Sequence, residues 1–157
     1  MHRQSLTINL PTADATATRA REISAKLRPS DTILLNGEVG TGKTHFARSL
    51  IEALLGHPED VPSPTFTLVQ TYISDAAEIW HADLYRITST LDIEELGLVQ
   101  AFDTAICIVE WPDRLGELRP EHALDITLNY TRDQAGRTLL AAWQDPRWAD
   151  RIAPWLS

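Results

Sequence analysis

The octapeptide Gly37-Glu38-Val39-Gly40-Thr41-Gly42-Lys43-Thr44 constrains this chain more than any other feature. It matches G-x-x-x-x-G-K-[ST], a loop whose backbone N–H groups cradle phosphates. The pattern has chemical meaning when a buried strand enters it and a helix leaves it, because the helix N-terminus supplies the partial positive charge that faces the anion. Both contexts are present. Thr32-Ile33-Leu34-Leu35-Asn36 is the short apolar run of a strand buried on both faces. Phe46, Ala47, Leu50, Ile51 and Leu54 follow at helical spacing, and Gly56 is placed to end that helix. The glycines let the backbone approach a ligand that a Cβ would hold off. Backbone groups of Gly40 to Thr44 are expected to ring a phosphate, Lys43 to neutralise the β and γ phosphates, and the Thr44 hydroxyl to bind Mg²⁺. The whole loop from Gly37 to Thr44, Glu38, Val39 and Thr41 included, is the expected binding site for ATP or ADP.

A Mg²⁺ that bridges phosphates takes a further carboxylate from the end of a neighbouring buried strand. Asp83 follows Ile79-Trp80-His81-Ala82, and Glu110 follows Ile106-Cys107-Ile108-Val109. The second run is the more apolar, so Glu110 is the better metal-side acid and Asp83 is left to orient water or sense the γ-phosphate. His81 shares a strand face with Asp83, where it is either a base or a structural hydrogen-bonding group. Enzymes of this type mostly position water rather than deprotonate it.

The remaining chain reads as a mixed α/β sheet with helices on its faces. Ser5 to Leu10 alternates like a half-buried strand near a sheet edge, and Thr12 caps a helix that runs to Leu27, before Pro29. Thr65–Tyr72 and Glu78–Leu84 read as an antiparallel pair, Leu91 to Leu98 as a short helix, and Ala105–Val109 as a second buried strand. Asp125–Tyr130 and Thr138–Ala142 form a terminal hairpin, followed by a last helix after Pro146. Cys107 is expected to be a packed strand residue, and Trp111 either core or an aromatic wall.

Composition limits the function classes. At 157 residues, 43% hydrophobic and 23% charged, the chain has the size and content of one folded domain spanning 1–157. Fourteen Lys and Arg against 22 Asp and Glu give a net charge of −8, which disfavours unaided binding to nucleic acid. A lone cysteine excludes an internal disulfide and a cysteine-held zinc, and no apolar run approaches the roughly 20 residues that a membrane span needs. A cytoplasmic address is expected. Guanine specificity usually needs an Asn/Thr-Lys-x-Asp element, which the sequence lacks, so ATP is favoured.

Four separated blocks resemble the bacterial TsaE (YjeE) family: the Gly37 to Thr44 loop, Ser63-Pro64-Thr65-Phe66-Thr67-Leu68-Val69, His81-Ala82-Asp83-Leu84-Tyr85-Arg86, and Ile108-Val109-Glu110-Trp111-Pro112. The short Glu95-Leu96-Gly97-Leu98 segment also fits. The resemblance implies a P-loop NTPase-like three-layer sandwich with a mixed parallel and antiparallel sheet. It implies that Thr65 lies in a switch-like segment facing the γ-phosphate, that Asp83 is needed for activity, and that Glu110 is the metal-side acid with Trp111 beside it. It also implies that Gly136-Arg137 lies near the nucleotide, with Thr12 closing the other side of the base pocket. The catalytic set is then Lys43, Thr65, Asp83 and Glu110, with Thr44 and Glu110 on the metal. The family's role implies ATP hydrolysis in complex with TsaB and TsaD, which install threonylcarbamoyl on the tRNA adenosine next to the anticodon. On that reading tRNA is met only through the complex. The chain departs from the usual family loop at Glu38-Val39-Gly40-Thr41, where Asp-Leu-Gly-Ala is common, and at His45, where a second threonine is usual.

Two rival functions share the loop. A small-molecule or nucleoside kinase would need a closing, arginine-bearing lid, and the Arg and Lys residues here are scattered. A nucleotide-dependent scaffold would bind ATP with incidental turnover.

Overall fold

In a computed structural model that describes residues 2–58, 61–62 and 68–156, seven strands build one sheet. They are β1 (Gln4–Leu10), β2 (Thr32–Asn36), β3 (Val69–Ile73), β4 (Glu78–Asp83), β5 (Ile106–Glu110), β6 (Leu124–Tyr130) and β7 (Arg137–Trp143), in the order β1-β7-β6-β2-β5-β4-β3. The central four, β6-β2-β5-β4, are parallel. The outer pairs β3/β4, β6/β7 and β1/β7 are antiparallel. The mixed sheet is therefore as the sequence predicts, with β1 at one edge.

The helices are α1 (Ala13–Ser24), α2 (Lys43–Leu55), α3 (Thr90–Glu95), α4 (Leu98–Ala101) and α5 (Arg147–Arg151). Side-chain alternation in the buried strands divides the core in two. Ile33, Leu35, Ile106 and Ile108 pack with Ile23, Phe46, Leu50 and Ile51 of α1 and α2. Leu34, Ala82, Cys107 and Val109 face the other way, onto Ile93, Leu98, Ala101, Phe102 and Leu115. The result is helix, sheet and helix in three layers, the packing that an all-apolar parallel strand requires. Burial of each large side chain of α2 contributes about 1.5–3 kcal/mol, which fixes the helix against the sheet and its N-terminus at the strand ends.

Local chemistry sets the element ends. The Thr12 side chain accepts the Ala15 N–H at 3.1 Å and starts α1. The helix stops at Ser24 rather than Leu27; Lys26 and Leu27 instead bond the carbonyls of Ile23 and Ser24, a tighter winding on the approach to Pro29. Leu27 nevertheless stays buried. α2 ends at Gly56, whose left-handed φ of 79° lets its N–H reach the Glu52 carbonyl. The Leu91–Leu98 region divides into α3 and α4 around Gly97. β3 begins at Val69, and the first part of the expected Thr65–Tyr72 strand lies outside the described residues.

The C-terminal tryptophans close the α1/α2 side of the core. Trp148 donates to the His122 carbonyl at 2.6 Å and Trp155 to the Arg19 carbonyl at 2.9 Å. Trp143, Trp148 and Trp155 all belong to that core cluster, so their place is packing.

Candidate functional site

Strands β2, β4 and β5 are parallel, so their C-terminal ends open along one edge of the sheet, where ligands of α/β proteins bind. The glycine loop leaves β2 there and enters α2. On β4 and β5 the residues Ile79 and Ile106, Ile108 pack on the α2 side. Alternation then directs His81, Asp83 and Glu110 to that same side. Asp83 and Glu110 are register partners at the two strand ends.

The loop requires glycine at two tight places. Gly37 has φ 140°, and a Cβ there would lie 2.4 Å from the Leu128 carbonyl oxygen. Gly40 has φ 85°, and its Cβ would lie 2.7 Å from the Tyr130 hydroxyl. That hydroxyl donates to the Val39 carbonyl at 3.0 Å, while the Arg137 guanidinium lies 4.3 Å from the Tyr130 ring and donates to the Gly40 carbonyl. The end of the β6/β7 hairpin thus holds the crest of the loop.

Lys43 opens α2 and is nearly buried. Its ammonium donates to the carbonyls of Gly37 at 2.6 Å and Glu38 at 3.0 Å, and lies 4.4 Å from the centre of the Trp111 ring. Burial pulls its pKa below the ordinary lysine value, while the Glu110 and Asp83 charges oppose that shift. Thr44 Oγ1 donates to Glu110 Oε1 at 2.9 Å, and Glu110 Oε2 lies 2.7 Å from His81 Nε2. Asp83 accepts the Tyr85 N–H at 3.0 Å. Burial holds its carboxyl above the ordinary aspartate range; the Tyr85 N–H opposes this and the Glu110 charge adds to it. Trp111 sits at φ 58°, an uncommon conformation for a bulky residue, with its ring 4.8 Å from that of Tyr85. It is an aromatic wall.

The loop separates two clefts. One, of about 270 Å³, is lined by Leu10, Pro11, Thr12, Ala13, Thr16, Gly40, Thr41, Gly42, His45, Ala135, Gly136 and Arg137. The other, of about 230 Å³, is lined by Val39, Lys43, Thr44, Asp83, Tyr85, Glu110 and Trp111. The residues expected around a base, Thr12 and Arg137, therefore lie on one side, and those expected around the γ-phosphate and cation on the other. Thr65 lies outside the described residues. Sequence reasoning missed His45, Tyr130 and Tyr85. Tyr85 stands within the matched His81 to Arg86 block, which was its available signal; Tyr130 joins the loop across the sheet, which no local pattern records.

The donor set suits a nucleotide triphosphate with a divalent cation. Lys43 is a desolvated cation whose anionic neighbours are two carboxylates, and the helix N-terminus faces the same space. Asp83 and Glu110 alone would repel phosphate, and a hard cation between them and the phosphates removes that repulsion. The Thr44 hydroxyl, its proton directed to Glu110, keeps lone pairs for such a cation. Among the described residues no group of three or more His, Cys, Asp and Glu gathers to hold a metal unaided. The phosphate oxygens and water would therefore complete the shell. No helix among the described residues is long and apolar enough to cross a membrane.

Comparison with known proteins agrees with this architecture. The family model for threonylcarbamoyl adenosine biosynthesis protein TsaE matches residues 10–139. The protein named tRNA threonylcarbamoyladenosine biosynthesis protein TsaE in Rickettsia bellii is 36% identical over 124 residues, covering 79% of this chain and 86% of its own length. Its namesake in Bacillus subtilis is 34% identical over 115 residues, covering 73% and 71%. The crystal structure of Bacillus subtilis YdiB superposes with a TM-score of 0.81 at 25% identity, covering 98% of this chain and 95% of that one. With the loop, the two strand-end acids and the whole sheet accounted for, the chain belongs to the TsaE family.

Proposed function

We propose that this chain is a single-domain, Mg²⁺-dependent ATPase that acts with TsaB and TsaD in threonylcarbamoylation of the tRNA adenosine next to the anticodon. The observation that carries the ATPase reading is the convergence of Lys43, Thr44, Asp83 and Glu110 on one cleft beside a glycine loop. Membership of the TsaE family supports the pathway and the partners.

Each residue has a separable task. Loop N–H groups and Lys43 hold the β and γ phosphates, and Lys43 offsets the charge that grows on the leaving phosphate oxygen. Thr44 and Glu110 would hold Mg²⁺, which would supply positive charge against the phosphates. Asp83, buried and facing the same cleft, orients the attacking water through the carboxylate oxygen that does not bond Tyr85. Trp111 and Tyr85 wall the cleft and limit solvent. Thr12 and Arg137 flank the base on the far side of the loop. Thr65, by its position in the Ser63 to Val69 block, senses the γ-phosphate and couples nucleotide state to partner affinity.

Phosphate release from ATP with purified chain, with and without TsaB and TsaD, tests the reading. Slow release alone and faster release with both partners is expected; ATP binding without hydrolysis in either condition would support a scaffold instead. Transfer of phosphate to a nucleoside would support a kinase.

A further inference from the structure

Resting on the ATPase reading above, we propose that His81 is a positioning residue: from a fully buried place on β4 it fixes the carboxylate plane of Glu110, and through it the Thr44 hydroxyl that faces the cation. His81 has no exposed surface and Glu110 almost none. The two carboxylate oxygens have different donors, Thr44 Oγ1 at 2.9 Å on Oε1 and His81 Nε2 at 2.7 Å on Oε2. A carboxylate offers only acceptors, so the hydrogen is assigned to Nε2.

The arrangement follows from strand geometry. Glu110 ends β5, and its register partner on β4 is Asp83; His81 is two residues earlier on the same face. His81 therefore approaches Glu110 from inside the protein, while Thr44 approaches from the loop. With one donor on each oxygen, rotation of the carboxylate about its last side-chain bond costs a charge-assisted hydrogen bond whichever way it turns. Thr44 is thereby held with its proton toward Glu110 and its lone pairs toward the cleft. The other ring nitrogen, Nδ1, is buried with no hydrogen-bond partner among the described residues. A core histidine kept for stability alone would be expected to satisfy both nitrogens. This ring spends its one bond on the metal-side acid. Support of a ligating carboxylate by an outer hydrogen bond typically changes metal affinity about 10–100-fold.

The test is the Mg²⁺ concentration that half-saturates the gain in ATP affinity, read by calorimetry on the full chain, with affinity in excess chelator as the control. His81→Gln places an amide N–H at about the reach of Nε2, His81→Asn stops short of it, and His81→Leu removes it. The expected result is a Mg²⁺ requirement raised about tenfold in His81→Asn and His81→Leu and close to the parent in His81→Gln. If His81→Leu fails to fold, the Gln and Asn pair still decides. Equal Mg²⁺ requirements in parent and variants would overturn the inference, as would equal impairment of His81→Gln and His81→Asn. A parent chain that binds ATP without any Mg²⁺ dependence would overturn the ATPase reading and this inference together.

Discussion

Asp83 and Glu110 stand opposite each other in register at the ends of two parallel strands, but their carboxylates have different partners. Glu110 is bonded by Thr44 and lies against His81, whereas the Asp83 carboxylate receives, among the described residues, only the Tyr85 backbone N–H. One acid is anchored toward the loop threonine and the other retains an oxygen for the cleft. Their mutational phenotypes should therefore separate. Glu110→Gln is predicted to raise the Mg²⁺ needed for tight ATP binding, because it weakens a ground-state contact. Asp83→Asn is predicted to bind ATP nearly as the parent does and to lose turnover by about 10²-fold or more, the scale of a positioned acid–base group. Calorimetry and single-turnover hydrolysis measure the two effects, and exchanged phenotypes would mean exchanged roles.

The burial of Asp83 also sets a pH dependence of stability. With its folded-state pKa raised, the native protein holds this proton more tightly than the unfolded chain does. The stability contribution is full below the ordinary aspartate range and is lost as pH rises through the raised value. Asp83→Asn keeps an acceptor for the Tyr85 N–H and removes the titration. Free of nucleotide, this variant should gain stability relative to the parent as pH rises from acid to neutral. Urea denaturation across that range measures the difference, and a gap independent of pH would contradict the burial argument.

Lys43→Ala removes a buried ammonium beside two loop carbonyls. The loss of charge-assisted bonds to phosphate, about 1.5–3 kcal/mol, predicts roughly a 10- to 150-fold weaker ATP affinity. Calorimetry of parent and variant at one Mg²⁺ concentration checks it; unchanged affinity would remove the loop from the binding site.

Much of this was legible in the sequence because it is local. The apolar run Thr32–Asn36 and the helical stripe after Lys43 placed the glycine loop between a buried strand and a helix, and period-two alternation put His81 and Asp83 on one face. The β6/β7 hairpin and the helix after Pro146 were equally readable from turn residues and alternation. What could not be read was long-range pairing. That His81 bonds Glu110, 29 residues away, depends on β4 and β5 being parallel neighbours in one register. The contact of Tyr130 with Val39 depends on β6 lying beside β2. The α1 end at Ser24 differs from the expected Leu27 because Leu27 continues the apolar stripe in a tighter turn.

The Tyr130 contact yields a prediction of its own. In Gly40→Ala the new Cβ would meet the Tyr130 hydroxyl at 2.7 Å, and the left-handed backbone adds about 1–2 kcal/mol of strain. ATP affinity should fall. Adding Tyr130→Phe removes the obstructing oxygen and should recover part of the loss, leaving the backbone strain. No recovery in the double variant would show that the hairpin does not press on the loop crest.

The most direct test of the proposed function is multiple-turnover threonylcarbamoylation of tRNA from purified components, with this chain, without it, and with its Lys43→Ala variant. Sustained modification is predicted only with the parent chain, accompanied by ATP hydrolysis that TsaB and TsaD accelerate. Equal modification in all three reactions would contradict it.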